Sequence, residues 1–126
     1  MGRQLFLVED DLMFAQRARA AAARLGAVPE SLTPNQALTR TWRADEVVLL
    51  QATIRPERQQ ALIERLIRSE PAPIVVAVTG HLETELRDRL RAKGVRLAAH
   101  SAMDRVLARA LDLSGDDARD SRNVKT

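Results

Sequence analysis

The stretch "QLFLVEDDLMFAQRARAAAARLG", residues 4–26, changes its period half-way. Its opening, "QLFLV" (4–8), is a short apolar run, which reads as a buried strand. From Asp11 the spacing turns helical: Phe14, Ala18, Ala21 and Leu25 form one stripe with arginines between them. Gly26 follows where a helix C′ residue is expected. The stretch is therefore one strand–helix unit. At its joint stand Glu9, Asp10 and Asp11, three like charges in a row. Like charges repel, so their crowding needs a reason of its own.

The same alternation continues outward. "AVPESL" (27–32) reads as a short strand, and Pro29 argues for an edge position. Thr33 as N-cap and Pro34 at N1 start the next helix. "EVVLLQ" (46–51) is a central, apolar strand. Pro56 opens a helix whose buried face is Leu62, Ile63, Leu66 and Ile67. "PAP" (71–73) breaks the chain before a second fully apolar strand, "IVVAV" (74–78), which ends at Thr79-Gly80. Leu82, Leu86 and Leu90 recur every four residues until Gly94. "VRLAA" (95–99) is a weaker fifth strand. "SAMD" (101–104) has the form of a capping box, with Ser101 as cap and Asp104 reaching back. Val106, Leu107, Ala110 and Leu111 are expected to face inward. Residues 114–126 are polar and non-periodic, an expected disordered tail behind a folded domain of residues 1–113.

Five strands thus alternate with five helices. Parallel strands need helical crossovers, and wholly apolar strands imply cover on both faces. The expected fold class is α/β: a flavodoxin-like, five-stranded parallel sheet of order 2-1-3-4-5 with helices on both faces.

Composition narrows the function. A chain of 126 residues is the usual size of one domain. It has no cysteine, which excludes disulfides, thiolate metal sites and a Cys nucleophile. Its apolar runs fall far short of the ~20 residues that span a bilayer. The N-terminus lacks a signal-peptide pattern, so a cytoplasmic protein with no membrane partner is expected. The net charge is +3 and the pI near 10.5, but only Lys93 and Lys125 are lysines, so the pI mostly reflects arginine. Acids interleave with the arginines, and Phe6, Phe14 and Trp42 are the only aromatics. Nucleic-acid sites want clustered bases and stacking aromatics, so that partner is disfavoured.

In a doubly wound sheet, ligands bind outside the carboxyl ends of the strands. Those ends deliver Glu9-Asp10-Asp11, Gln51-Ala52-Thr53, Thr79-Gly80-His81 and His100-Ser101. The set, in this order, resembles the response-regulator receiver domain, the CheY-like family. "LFLVEDD" resembles its first strand, where an acidic pair holds Mg²⁺. "ADEVVLLQATIRP" resembles its third strand and loop, where an Asp accepts a phosphoryl group. "PAPIVVAVTGH" resembles its fourth strand, ending in Thr or Ser. "KGVRLAAHSAMDRVLARAL" resembles its last strand–helix unit. The resemblance covers residues 3–113.

The departures are chemical. The acceptor position falls on Gln51, or on Ala52 counting back from Pro56, and neither is a nucleophile. Asp45 lies six residues earlier, ~20 Å away at the wrong end of the strand. The family's Lys falls on His100 or Ser101, and its switch aromatic on Leu97 or Ala98. The resemblance therefore implies a pseudo-receiver: not an enzyme, without catalytic residues, acting in signal transduction by protein–protein contact. A phosphorelay regulator with its acceptor displaced to Glu9, Asp10 or Asp11 is the alternative, and a nucleic-acid accessory a weaker one.

Each feature carries a plainer reading. The acids at 9–11 complement the helix dipole, and Asp10 or Asp11 is a candidate N-cap. Glu9 and Asp10 make at best a weak Mg²⁺ site, because Gln51 offers only a neutral carbonyl. Thr79 is expected to cap a helix rather than sense phosphate. His81 and His100 are expected to be solvated, with a His100–Glu9–Asp10 metal site as the other reading. Trp42 packs the second helix or anchors a partner. Arg87, Arg89, Arg91, Arg96, Arg105 and Arg109 form either a solvated, salt-bridged face or an interface. The expected partner is a protein, a histidine kinase or another regulator, or a second copy docked through helix four, strand five and helix five.

Overall fold

The computed structural model describes residues 3–53, 56–80 and 82–112. The expected fold is present. In chain order the elements are β1 (Leu5–Val8), α1 (Leu12–Arg24), β2 (Glu30–Leu32), α2 (Pro34–Thr39), β3 (Val47–Gln51), α3 (Pro56–Arg68), β4 (Ile74–Val78), α4 (Thr84–Ala92), β5 (Arg96–Ala98) and α5 (Met103–Ala110), with one 3₁₀ turn at His100–Ala102. The strands form a single sheet of order β2-β1-β3-β4-β5, and every pairing is parallel.

Side chains alternate across a strand, so each apolar strand feeds two cores. Leu5, Leu7, Val47, Leu49, Val76 and Val78 pack under α1 and α5. Phe6, Val8, Val48, Leu50, Val75 and Ala77 pack under α2, α3 and α4. α1 buries Phe14, Ala15, Ala18, Ala21 and Ala22, and this mostly alanine face lets it lie close to the sheet. Gly26 and Gly94 end α1 and α4 at positive φ, 75° and 86°, which favours glycine. Asp11 is the N-cap of α1, and Thr33 and Gln36 form a full capping box on α2.

Below the sheet, at the amino ends of the strands, Arg40 donates to Glu46 at 2.7 Å. Its guanidinium lies 4.1 Å from the centre of the Phe6 ring and 5.0 Å from that of Trp42. Phe6 and Trp42 meet edge to face at 5.2 Å, and the Trp42 indole donates to the Ala37 carbonyl. Trp42 thus packs the second helix, and it is buried.

Two local expectations fail in the last units. α4 begins at Thr84, so Leu82 is not on its buried stripe and is 81% exposed. The Glu83 carboxylate turns back to accept from the Gly80 N–H at 2.7 Å, which ties the loop before the helix starts. The capping box at Ser101 does not form: α5 starts at Met103 with no side-chain cap. Asp104 instead takes a two-bonded ion pair with Arg24 of α1, at 2.5 and 2.8 Å. The fork gives both carboxylate oxygens a cationic donor, where the capping box would have offered a single backbone N–H.

Among the described residues no helix is long and apolar enough to cross a membrane. His81 and the segment 114–126 lie outside the described residues.

Candidate functional site

β1, β3 and β4 end side by side, and so bring Glu9-Asp10-Asp11, Gln51 and Thr79 to one edge. Each acid of the first strand has a separate partner. Glu9 accepts from Arg19 of α1 and from the Ser31 hydroxyl of β2. Asp10, with its side chain 5% exposed, accepts from Arg58 of α3 at 3.1 Å. Asp11 accepts from the Phe14 N–H at 3.1 Å and caps α1. Two guanidiniums and a helix N-terminus therefore divide three carboxylates between them, which is why the crowding is tolerated.

Gln51, the last residue of β3, is 5% exposed. Its carbonyl accepts from the Gln59 side chain of α3 at 2.6 Å, and Gln59 is fully buried. The Gln51 amide nitrogen and the Gln59 amide oxygen have no hydrogen-bond partner among the described residues. The pair forms a neutral, buried plug where the resemblance puts an acceptor carboxylate. Ala52, the other candidate position, is also buried.

Thr79 does not cap a helix, contrary to expectation. It is fully buried, and its hydroxyl accepts from Arg87 of α4 at 2.7 Å. The helix begins five residues later with Glu83 at its N-cap, so Thr79 is too far away to serve. Arg87 is thereby drawn off the arginine face toward the crevice.

His100 is exposed and lines a shallow groove with Asp11, Met13, Phe14, Arg17, Gln51 and Thr53. Glu9 and Asp10 line a different groove, between α2 and α3. Among the described residues no three histidines or carboxylates gather as a metal-ligand set. The residues present fit a divalent cation poorly, because Arg58 already lies on Asp10 and Gln51 brings no charge.

On the opposite flank, Arg91 pairs with Asp88 at 3.2 Å. Arg96, Arg105 and Arg109 are exposed, with no acidic partner among the described residues. The face is therefore more cationic than a fully salt-bridged one. At its rim, Arg24 holds the Asp104 carboxyl below the usual carboxylate range by its hydrogen bonds. Lys93 does the same to Glu64.

Sequence reasoning missed Arg58, Arg19 and Arg87 as the residues that occupy the crevice. One signal was available for Arg58. It stands two residues after Pro56, in the first turn of α3, and a first turn after a parallel strand always lies at the carboxyl edge.

This arrangement of strands and helices is shared with solved structures. A response regulator from Colwellia psychrerythraea superposes with a TM-score of 0.65 at 11% identity, covering 86% of this chain and 96% of that one. A response regulator receiver protein from Burkholderia phymatum gives 0.65 at 19% identity, covering 87% and 95%. The chain has the receiver fold. NtrX from Brucella abortus, solved in complex with ADP, gives 0.69 at 20% identity, covering 91% of this chain and 27% of that one. No protein-family model and no curated protein matches the sequence. The receiver likeness is thus one of fold, and the crevice must be read from its own residues.

Proposed function

We propose that the protein is a receiver-like signalling module that acts by protein–protein contact, without phosphorylation. The observation that carries this reading is the end of β3. Gln51 stands there buried and neutral, between Asp10 held by Arg58 and Thr79 held by Arg87. An amide cannot accept a phosphoryl group, and neither flanking residue is free to help a carboxylate do so. Mg²⁺ is not required in this reading. The partner is a protein, a sensor kinase or another regulator, or a second copy docked on α4, β5 and α5. The unpaired Arg96, Arg105 and Arg109 favour a partner with an acidic face.

Incubation with a small-molecule phosphodonor and Mg²⁺, followed by intact-mass measurement, tests the reading. The expected mass is unchanged. A stable adduct on a crevice acid overturns it, and loss of that adduct in Asp10→Asn would establish a displaced acceptor instead.

A further inference from the structure

Charge is unevenly placed where α5 ends. α5 runs back to the amino edge of the sheet, where the Arg3 N–H and guanidinium donate to the Leu111 and Ala110 carbonyls, both at 3.0 Å. Arg105 and Arg109 are one turn apart on its exposed face, and Arg96 opens β5 at that same amino edge. All three are exposed, with no acidic partner among the described residues. Asp112 then stands in the left-handed region, φ 60°, with its N–H donating to the Arg109 carbonyl. A left-handed residue after a helix turns the chain off the helix axis. The sequence that follows is acidic first and basic last. Residues 113–120 hold Asp116, Asp117 and Asp120 against Arg119 alone, and residues 121–126 hold Arg122 and Lys125 with no acid.

The distances suit a return along the helix. Asp116 is four residues past Asp112, a reach of up to about 14 Å. Arg105 lies seven residues back along α5, roughly 10 Å. A tether this short gives an effective concentration on the order of millimolar, enough to populate individually weak ion pairs. We infer that residues 113–120 fold back over α5 as an acidic strap, placing Asp116, Asp117 and Asp120 on Arg96, Arg105 and Arg109. The strap then competes with an acidic partner for this face. That competition rests on the reading of the face as a docking surface; the contact itself does not.

The chain has no cysteine, so Ser121→Cys gives a single thiol for a nitroxide label. Amide NMR of the full chain, with the label oxidised and then reduced, reads which residues it approaches. The expected result is broadening at Arg96, Arg105 and Arg109, above that on α2 and α3. The tether alone brings the label near Asp112, so the control is Asp116→Asn, Asp117→Asn and Asp120→Asn together in the labelled chain. This triple variant removes the broadening at Arg96 and Arg105, as does about 1 M salt, which screens charges beyond about 3 Å. Arg105→Gln with Arg109→Gln does the same from the other side, at exposed positions where folding is not at stake. A glutamate-rich peptide binds the unlabelled triple variant several-fold more tightly than the parent chain. Broadening that persists in the triple variant and in salt, or that spreads evenly over both faces of the sheet, overturns the strap. Equal peptide affinity overturns the competition. A phosphoryl adduct in the mass experiment would remove the docking reading and leave the strap standing.

Discussion

The two ends of the sheet hold their charges in opposite ways. At the amino ends, Arg40 and Glu46 pair beneath Phe6 and Trp42, with side chains 29% and 6% exposed. Glu46 also accepts from the Arg43 N–H, so the acid is doubly satisfied. At the carboxyl ends, Arg58 reaches Asp10 from a side chain that is 48% exposed. Arg87 reaches a threonine and, among the described residues, no acid. The lower pair is packed into the core and holds the fold. The upper arginines are spread over the crevice and hold Asp10 and Thr79. The acids are equally buried at the two ends, and the difference lies in their arginines, more covered at one end and more exposed at the other.

The comparison can be broken most decisively from below. Glu46→Ala leaves Arg40 uncompensated under two rings and is expected to cost about 3 kcal/mol. Urea denaturation measures it, and a loss of well under ~1 kcal/mol would mean that the two ends are equivalent. Thr79→Val removes the acceptor of Arg87 and is expected to cost about 1 kcal/mol. A double-mutant cycle with Arg87→Ala should return coupling of similar size. Arg58→Ala takes a half-exposed cation from the buried Asp10 carboxylate, 5% exposed, and is expected to cost about 1 kcal/mol. Its larger effect is on binding: a Mg²⁺ titration followed by amide shifts should perturb Asp10 more strongly in the variant than in the parent chain.

The smallest expected effect is electrostatic and lies at the surface. Glu64 is held below the ordinary carboxylate range by the Lys93 hydrogen bond, and Asp104 by Arg24. A depressed folded-state pKa stabilises above the unfolded value and is lost as pH falls through the folded one. Carboxyl-carbon NMR should therefore show both groups titrating low, on the acid side of free Asp and Glu. Lys93→Ala should return Glu64 to its ordinary range, and added salt should narrow the shift.

What was legible in the sequence follows from how local each signal is. β3 and β4 could be read because "VVLLQ" and "IVVAV" are nearly all buried, and only a central parallel strand demands that. Thr33 and Asp11 could be read as caps because their partners lie three residues away. Ser101 was misread because the winning partner of Asp104 is Arg24, distant in sequence but adjacent once α1 and α5 share a face. Thr79 was misread for the same reason: its hydroxyl accepts from an arginine one turn into the next helix. That β3 ends on the neutral Gln51 was visible too. The arginines that occupy the rest of the crevice were not, because an arginine's partner is chosen by packing and leaves no spacing rule.

The outer strands carry a consequence for assembly. β2 and β5 are three residues each, and each bears an exposed charge, Glu30 on one edge and Arg96 on the other. Short, charged edges resist adding a further strand from another molecule. The sheet therefore disfavours growth from either side, and a second copy of this chain would meet the first by side-chain contact rather than by strand addition.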